Sequence, residues 1–315
     1  MKMATTTRDF QAYAAHPMDV CAILPWLKES GFCHIDMNFC AALYEGSPVC
    51  SSDWERWTDE VGDVAARLGL DFVQAHASDP VYAYGEKRDF RTEMIRRELE
   101  ICKRLGIGRA VLHGITSPES TREDFIAKNV ELYSDLLCTA EETGVTICTE
   151  NTCWTNYKTY YIYEADDFHA LDAALGRHPL FGMCWDVGHA NVQGVDQYRE
   201  ITRLGNRLKA VHIHDNVGMR SSPEMMDLHQ QPFAGSCSYD PIVKALKDIN
   251  FAGTFTLEAY ALPEPVNQVK RRPMTQDGLV YGKLQMLPLR FKLEGEKLMH
   301  DIVRYMLETY DCYEE

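Results

Sequence analysis

Apolar runs that stop on an acid or a histidine recur along this chain at an interval of about 37 residues, close to one strand plus one helix. His76, His113, Glu150 and Asp186 are four such stops; His212 follows after a shorter interval and Glu258 after a longer one. Between the stops, short strand-like runs alternate with stretches of helical periodicity. Strands are expected over 1–7, 33–39, 71–78, 109–115, 145–151, 181–186, 208–215 and 253–258. Helices are expected over 18–30, 53–68, 90–105, 121–142, 165–175, 196–204, 239–249 and 284–307, several closed by a glycine such as Gly69 or Gly144. Eight such units argue for a parallel sheet closed into a single-domain (β/α)8 TIM barrel over residues 1–315. An open doubly wound sheet more often carries a glycine-rich phosphate loop after its first strand, and RDFQAYAAHP at 8–17 has no glycine.

The stretch FGMCWDVGH at 181–189 is the clearest of the strands. Alternation puts Gly182, Cys184 and Asp186 on the inward face and Met183 and Trp185 outward. Small residues inside and bulky ones outside suit a barrel strand covered by helices. Gly188 reads as part of a loop in which polar side chains converge, His189 among them. One segment departs from the repeat: 261–288 lies between the eighth strand and the last helix and holds the basic run Lys270, Arg271, Arg272. It reads as an insertion, whether a surface excursion, an oligomer contact or a lid.

Composition narrows the partners. The formal net charge is −15, from 47 acids and 32 bases, which repels phosphate backbones and disfavours nucleic acid. Eleven scattered cysteines without a C-x-x-C pair suit reduced thiols in a cytoplasmic protein. No apolar run approaches the roughly 18 residues that span a bilayer, so no membrane partner is expected. Hydrophobic residues at 45% suffice for a large core.

In a barrel of this kind the chemistry sits at the C-terminal ends of the strands. Glu150, Asp186, His212 and Glu258 are all placed there, and four such groups aimed at one point call for a cation. An oxygen-rich set suits one divalent ion, Mn²⁺, Co²⁺ or Mg²⁺ by preference, with Zn²⁺ also compatible. His76, His113, His189 and His214 fall at strand ends too, and Asp227 and His229 follow the seventh strand. These six, with Trp154 as a stacking platform, are the expected substrate contacts. Cys148 and Cys184 would point into the barrel below Glu150 and Asp186, as small packing residues rather than nucleophiles.

The runs TEN at 149–151, WDVGH at 185–189, KAVHIHDN at 209–216, DLH at 227–229, PFAG at 232–235 and TLE at 256–258 resemble the xylose isomerase-like TIM-barrel superfamily. That group holds sugar and sugar-phosphate isomerases and epimerases, keto-inositol dehydratases and abasic-site nucleases of the endonuclease IV type. The resemblance implies that Glu150, Asp186, His212 and Glu258 bind one metal and that His189 touches a substrate hydroxyl. It implies an isomerase or epimerase of carbohydrate metabolism acting on a sugar or polyol, with Glu150 and Glu258 as catalytic acid and base of an enediolate mechanism. A homo-oligomer is compatible with it. A lyase or dehydratase on a keto-sugar or keto-inositol uses the same enolisation.

The nuclease branch, with its three-zinc cluster, maps onto His76, His113, Glu150, Asp186, His189, His212, Asp227, His229 and Glu258, and every position is filled. Against it stand the net charge and the lack of basic runs in the early loops. The ketohexose 3-epimerase branch has a further substrate-binding Glu and Arg where this chain has Asn156 and Gly218, with Arg220 nearby. A non-catalytic protein that merely kept the site is disfavoured by the complete ligand set.

Overall fold

Each barrel strand finds two parallel neighbours, and the last pairs back onto the first. In the computed structural model of the chain, residues 1–153, 160–218, 227–260, 274–276, 279–281 and 287–315 are described. Strands β1 (Met3–Thr6), β2 (His34–Asn38), β3 (Asp71–His76), β4 (Arg109–Leu112), β5 (Thr146–Glu150), β6 (Phe181–Asp186), β7 (Leu208–Ile213) and β8 (Phe255–Leu257) form one closed barrel in chain order. The closing register sets Met3 against Phe255 and Ala4 against Thr256. This is a single-domain (β/α)8 TIM barrel.

Helices α1 (Val20–Glu29), α2 (Trp54–Leu68), α3 (Glu86–Arg104), α4 (Arg122–Thr143), α5 (Ala165–Ala174), α6 (Val187–Gln193), α7 (Gln197–Leu204) and α8 (Tyr239–Asp248) connect the strands, and α9 (Leu289–Thr309) follows β8. Thr121 caps α4 as its sequence predicts: its side chain accepts from the Asp124 N–H while the Asp124 carboxylate accepts from the Thr121 N–H. Gly144 ends that helix at φ 76°, a left-handed conformation that glycine adopts without strain. The expected insertion at 261–288 lies mostly outside the described residues; within it, β9 (Met274–Gln276) and β10 (Leu279–Tyr281) pair antiparallel. Among the described residues no helix is long and apolar enough to cross a membrane.

The main core lies between strands and helices, with Trp185, Phe181, Phe168 and Tyr133 fully buried. Inside the barrel a small separate layer is built from Val111, Cys148, Cys184 and Ala210, one residue from each of four successive strands. This layer positions the site. Side chains two residues further along a strand share its face, so the same four strands next present His113, Glu150, Asp186 and His212. Burial pushes the Cys148 thiol up to about 12 and the Cys184 thiol well above its usual range, which fits packing residues and not nucleophiles.

One local expectation is corrected. The residues after Asp186 are not a loop: α6 begins at once, and the Asp186 side chain caps it by accepting from the His189 N–H at 2.7 Å. Gly188 is needed there for room, since a Cβ would lie 2.0 Å from the His214 ring.

Candidate metal centre

Glu150, Asp186, His212 and Glu258 each offer a ligand atom within 4.8 Å of the others, and all four are buried. Neighbouring strand registers bring them together: Asp186 pairs with His212, and His212 pairs with Thr256, two residues before Glu258. Nδ1 of His212 lies 2.7 Å from Glu150 Oε1 and 3.2 Å from Glu258 Oε2. Three carboxylates this close repel unless a cation intervenes.

The surrounding histidines divide into two further groups. His76 and His113 face Glu150 Oε2 at 3.5 and 2.8 Å through their Nε2 atoms. His189, His214 and His229 gather around Asp227, with the rings of His214 and His229 stacked 3.9 Å apart. The side chain of His214 also reaches Asp186 at 2.9 Å. Each expected site residue thus joins the same end of the barrel except Trp154, which lies outside the described residues, as do Asn156 and Arg220.

Four of the imidazoles share one orientation, while His212 instead turns Nδ1 to the carboxylates. Nδ1 of His76, His189 and His229 lies against the carbonyl oxygens of Ala77, Asn151 and Glu258 at 3.0, 2.8 and 2.8 Å. A carbonyl only accepts, so these Nδ1 atoms carry the proton and Nε2 faces the carboxylates. Nδ1 of His113 is similarly held by Asp79 at 3.1 Å. This is how proteins orient imidazoles for a metal, with one nitrogen tied back and the other presented. Asp227 Oδ1 is buried without a hydrogen bond and lies 3.3 Å from His229 Nε2, as an oxygen awaiting a cation would.

The charge balance leads to the same conclusion. Burial works against ionising Glu150, but His212, His113 and His76 outweigh it and hold the carboxyl well below its usual range. Burial likewise opposes charge on His113, yet Asp79 and Glu150 push it up to about 10; Glu150 and Glu258 push His212 up to about 9. The carboxylates therefore collect protons on the imidazoles around them. A divalent ion would take the place of those protons, because metal ligation needs the imidazoles neutral and the carboxyls ionised. The donor set fits such an ion.

Several residues at the site were missed by sequence reasoning. Arg8 follows β1 and lies 3.1 Å from Glu258 Oε1, over the ring of Tyr260. Asp36, on β2, is buried; burial raises its pKa against the pull of His212 and His76. The alternation His34, Asp36, Asn38, which puts three polar side chains on one face of β2, was the available signal. Cys40 Sγ lies 3.2 Å from His76 Nδ1. Asn151 ties two strand ends together: it accepts from the Asp186 N–H at 2.7 Å and donates to the Asp186 carbonyl at 2.9 Å.

A cavity of about 560 Å³ opens beside the centre, lined by Asp79, His113, Tyr160, His189 and Asp227 among others. Among the described residues lining it there is no lysine or arginine.

A family model described as xylose isomerase-like TIM barrel matches residues 24–277. The chain is 26% identical over 259 residues to the uncharacterized protein y4fM of Sinorhizobium fredii, covering 75% of this chain and 79% of that one. It is 26% identical over 225 residues to a probable endonuclease 4 of Geobacter sp., covering 66% and 76%. A D-psicose 3-epimerase structure from Clostridium cellulolyticum H10 superposes with a TM-score of 0.72 at 15% identity, covering 98% and 99%, which is a likeness of fold. With its closed eight-stranded barrel and a match spanning most of its length, this chain belongs to the xylose isomerase-like TIM barrel family.

Proposed function

We propose that this chain is a divalent-metal-dependent isomerase or epimerase of a sugar, sugar phosphate or related polyol ketone. The observation that carries the reading is that two glutamates, Glu150 and Glu258, converge on one imidazole from strands β5 and β8 within a buried four-ligand group. The likeness to a D-psicose 3-epimerase over nearly the whole of both chains supports it. So does the cavity, whose size suits a small molecule.

In this reading Glu150, Asp186, His212 and Glu258 hold one ion, with Mn²⁺, Co²⁺ or Mg²⁺ preferred and Zn²⁺ also suited to the donors. When bound, the ion polarises a substrate carbonyl and acidifies the adjacent C–H. In this reading Glu150 and Glu258, both held ionised, accept and return the proton. Return to the opposite face gives an epimer, and return to the neighbouring carbon gives an isomer. Both carboxylates are weak bases in water, so their burial contributes by keeping water out. His189, with Nδ1 fixed by the Asn151 carbonyl, presents Nε2 as a hydroxyl contact. His76, His113, His214, Asp227 and His229 complete the substrate surface.

One observation favours a second reading, metal-assisted phosphoester hydrolysis. The groups His76–His113–Glu150 and His189–His214–Asp227–His229 could each hold an ion of their own, and a probable endonuclease 4 is among the relatives. Metal counting on the purified protein, paired with sugar-conversion and abasic-DNA assays, separates the two. One ion per chain with sugar conversion supports the first; three ions with DNA incision support the second.

A further inference from the structure

The outer face of α9 carries a pattern that the barrel does not use. The inner face of this helix is docked: Met299, Val303 and Leu307 are buried, and buried Lys292 is held by Asp9 at 3.4 Å and Glu296 at 2.8 Å. On the other face Phe291, Leu298 and Tyr305 are 46%, 53% and 64% exposed. They recur every seven residues and so form one row along the axis. Among the described residues, four of the seven exposed large hydrophobic side chains lie here, counting Leu287 just before the helix, so the apolar exposure is concentrated on this face.

Beside the row runs a line of charges of alternating sign: Arg290, Glu294, Lys297, Asp301, Arg304 and Glu308. The line is antisymmetric about Met299. Lys297 and Asp301 stand two residues to either side, Glu294 and Arg304 five, and Arg290 and Glu308 nine, each pair opposite in sign. Alternating charge alone describes a solvated helix face. An exposed apolar row beside it, with this symmetry, describes a surface complementary to itself.

We propose that α9 is a self-association surface whose occupant is α9 of a second copy of this chain, antiparallel and centred on Met299. A twofold axis across two facing antiparallel helices brings the same flank of each together with its direction reversed. Every base then meets an acid of the other copy at the same height. The apolar row is centred one residue away, on Leu298, so Leu298 lies about 3 Å along the axis from its own counterpart and Phe291 about 3 Å from Tyr305, within reach of these side chains. Sliding one helix by a turn sets Asp301 against itself and Glu294 against Glu308, or in the other direction Lys297 against itself and Arg290 against Arg304. Both slipped registers are penalised, so the charges select one. At 21 residues the helix is about 31 Å long, enough for the whole pattern to engage. The present partners of these charges, Glu294 at 3.1 Å and Glu29 of α1 at 3.9 Å for Lys297, His300 at 3.1 Å for Asp301 and Glu308 at 2.8 Å for Arg304, form surface pairs that are worth little, so exchanging them for pairs across the interface costs little.

The test is sedimentation velocity on the full chain across a concentration series reaching well above micromolar. The expected result is a dimer. Leu298→Glu should be monomeric with an unchanged circular dichroism spectrum, since the side chain is already half exposed. Lys297→Glu should weaken the dimer about tenfold, because the twofold repeats the new repulsion against Asp301. The swap Lys297→Glu with Asp301→Lys should restore it. A monomeric wild type overturns the proposal, as does a dimer indifferent to Leu298→Glu or a swap that fails to restore association.

Discussion

Glu150 and Glu258 stand on strands that are not neighbours in the barrel, yet both lie against Nδ1 of His212, at 2.7 and 3.2 Å. One imidazole proton cannot satisfy two carboxylates equally, and Asp186 is within the same group. A cation held among them would resolve the arrangement.

Asp186→Asn removes one of the negative ligands while keeping an oxygen for the His189 N–H that caps α6. The barrel should stay folded and metal affinity should fall by about a hundredfold. Metal analysis after gel filtration, with circular dichroism on the same sample, checks both. Normal metal content would remove Asp186 from the ligand set.

Gly188→Ala tests the packing beneath the centre. The added methyl would meet the fully buried His214 ring, which is stacked on His229 and bonded to Asp186. We expect a loss of about 2–3 kcal/mol in urea unfolding, from overpacking, with weakened metal binding. A variant of unchanged midpoint would show that the ring has space to move.

The loop that presents His76 depends on Glu98, which reaches from α3 to the Ser78 hydroxyl and to the Ser78 N–H at 2.8 Å. Burial pushes the Glu98 carboxyl up to about 8, from an ordinary value near 4.5. Its folded-state pKa is raised, so its stabilisation is complete below the unfolded value and is lost as pH rises through the folded one. Glu98→Gln does not titrate and keeps both contacts, its oxygen accepting from the Ser78 N–H and its NH2 donating to Ser78 Oγ, whose own proton goes to the Phe39 carbonyl. Relative to wild type, the variant should therefore gain about 3 kcal/mol between pH 5 and pH 8. A constant difference across that range would show that Glu98 ionises normally.

If the two glutamates serve opposite faces of the substrate, removing one leaves the other able to exchange a proton. One of Glu150→Gln and Glu258→Gln should then wash solvent deuterium into the starting sugar without converting it, provided the variant holds metal. Loss of exchange in both metal-loaded variants would reject the division of labour.

Much of this site is legible in the sequence because strand alternation is a two-residue rule. Cys148 and Glu150, Cys184 and Asp186, and Ala210 and His212 each share a face, with the small residue packed inside the barrel and the polar one above it. What escaped the sequence came from contacts across the fold. Arg8 reaches Glu258 only because β8 closes onto β1, and Glu98 meets Ser78 only because α3 folds back over β3. The helix after Asp186 was hidden for a different reason. Gly188 resembles loop punctuation, yet its role is to admit the His214 ring. The approach of His189 and His229 to Asp227 goes with the Asp215–Gln230 bridge, which no periodicity announces.

The most direct test is proton exchange observed by NMR. The Mn²⁺-loaded protein, later freed of the paramagnetic ion, or the Mg²⁺-loaded protein directly, is incubated in heavy water with a panel of ketoses, aldoses, their phosphates and keto-polyols. The account predicts deuterium at the carbon beside the carbonyl in at least one of them, abolished by chelation and restored by metal. No exchange in any sugar, together with specific incision of abasic-site DNA by the same preparation, would contradict it and make the central four-ligand group and the two histidine groups a phosphoesterase centre.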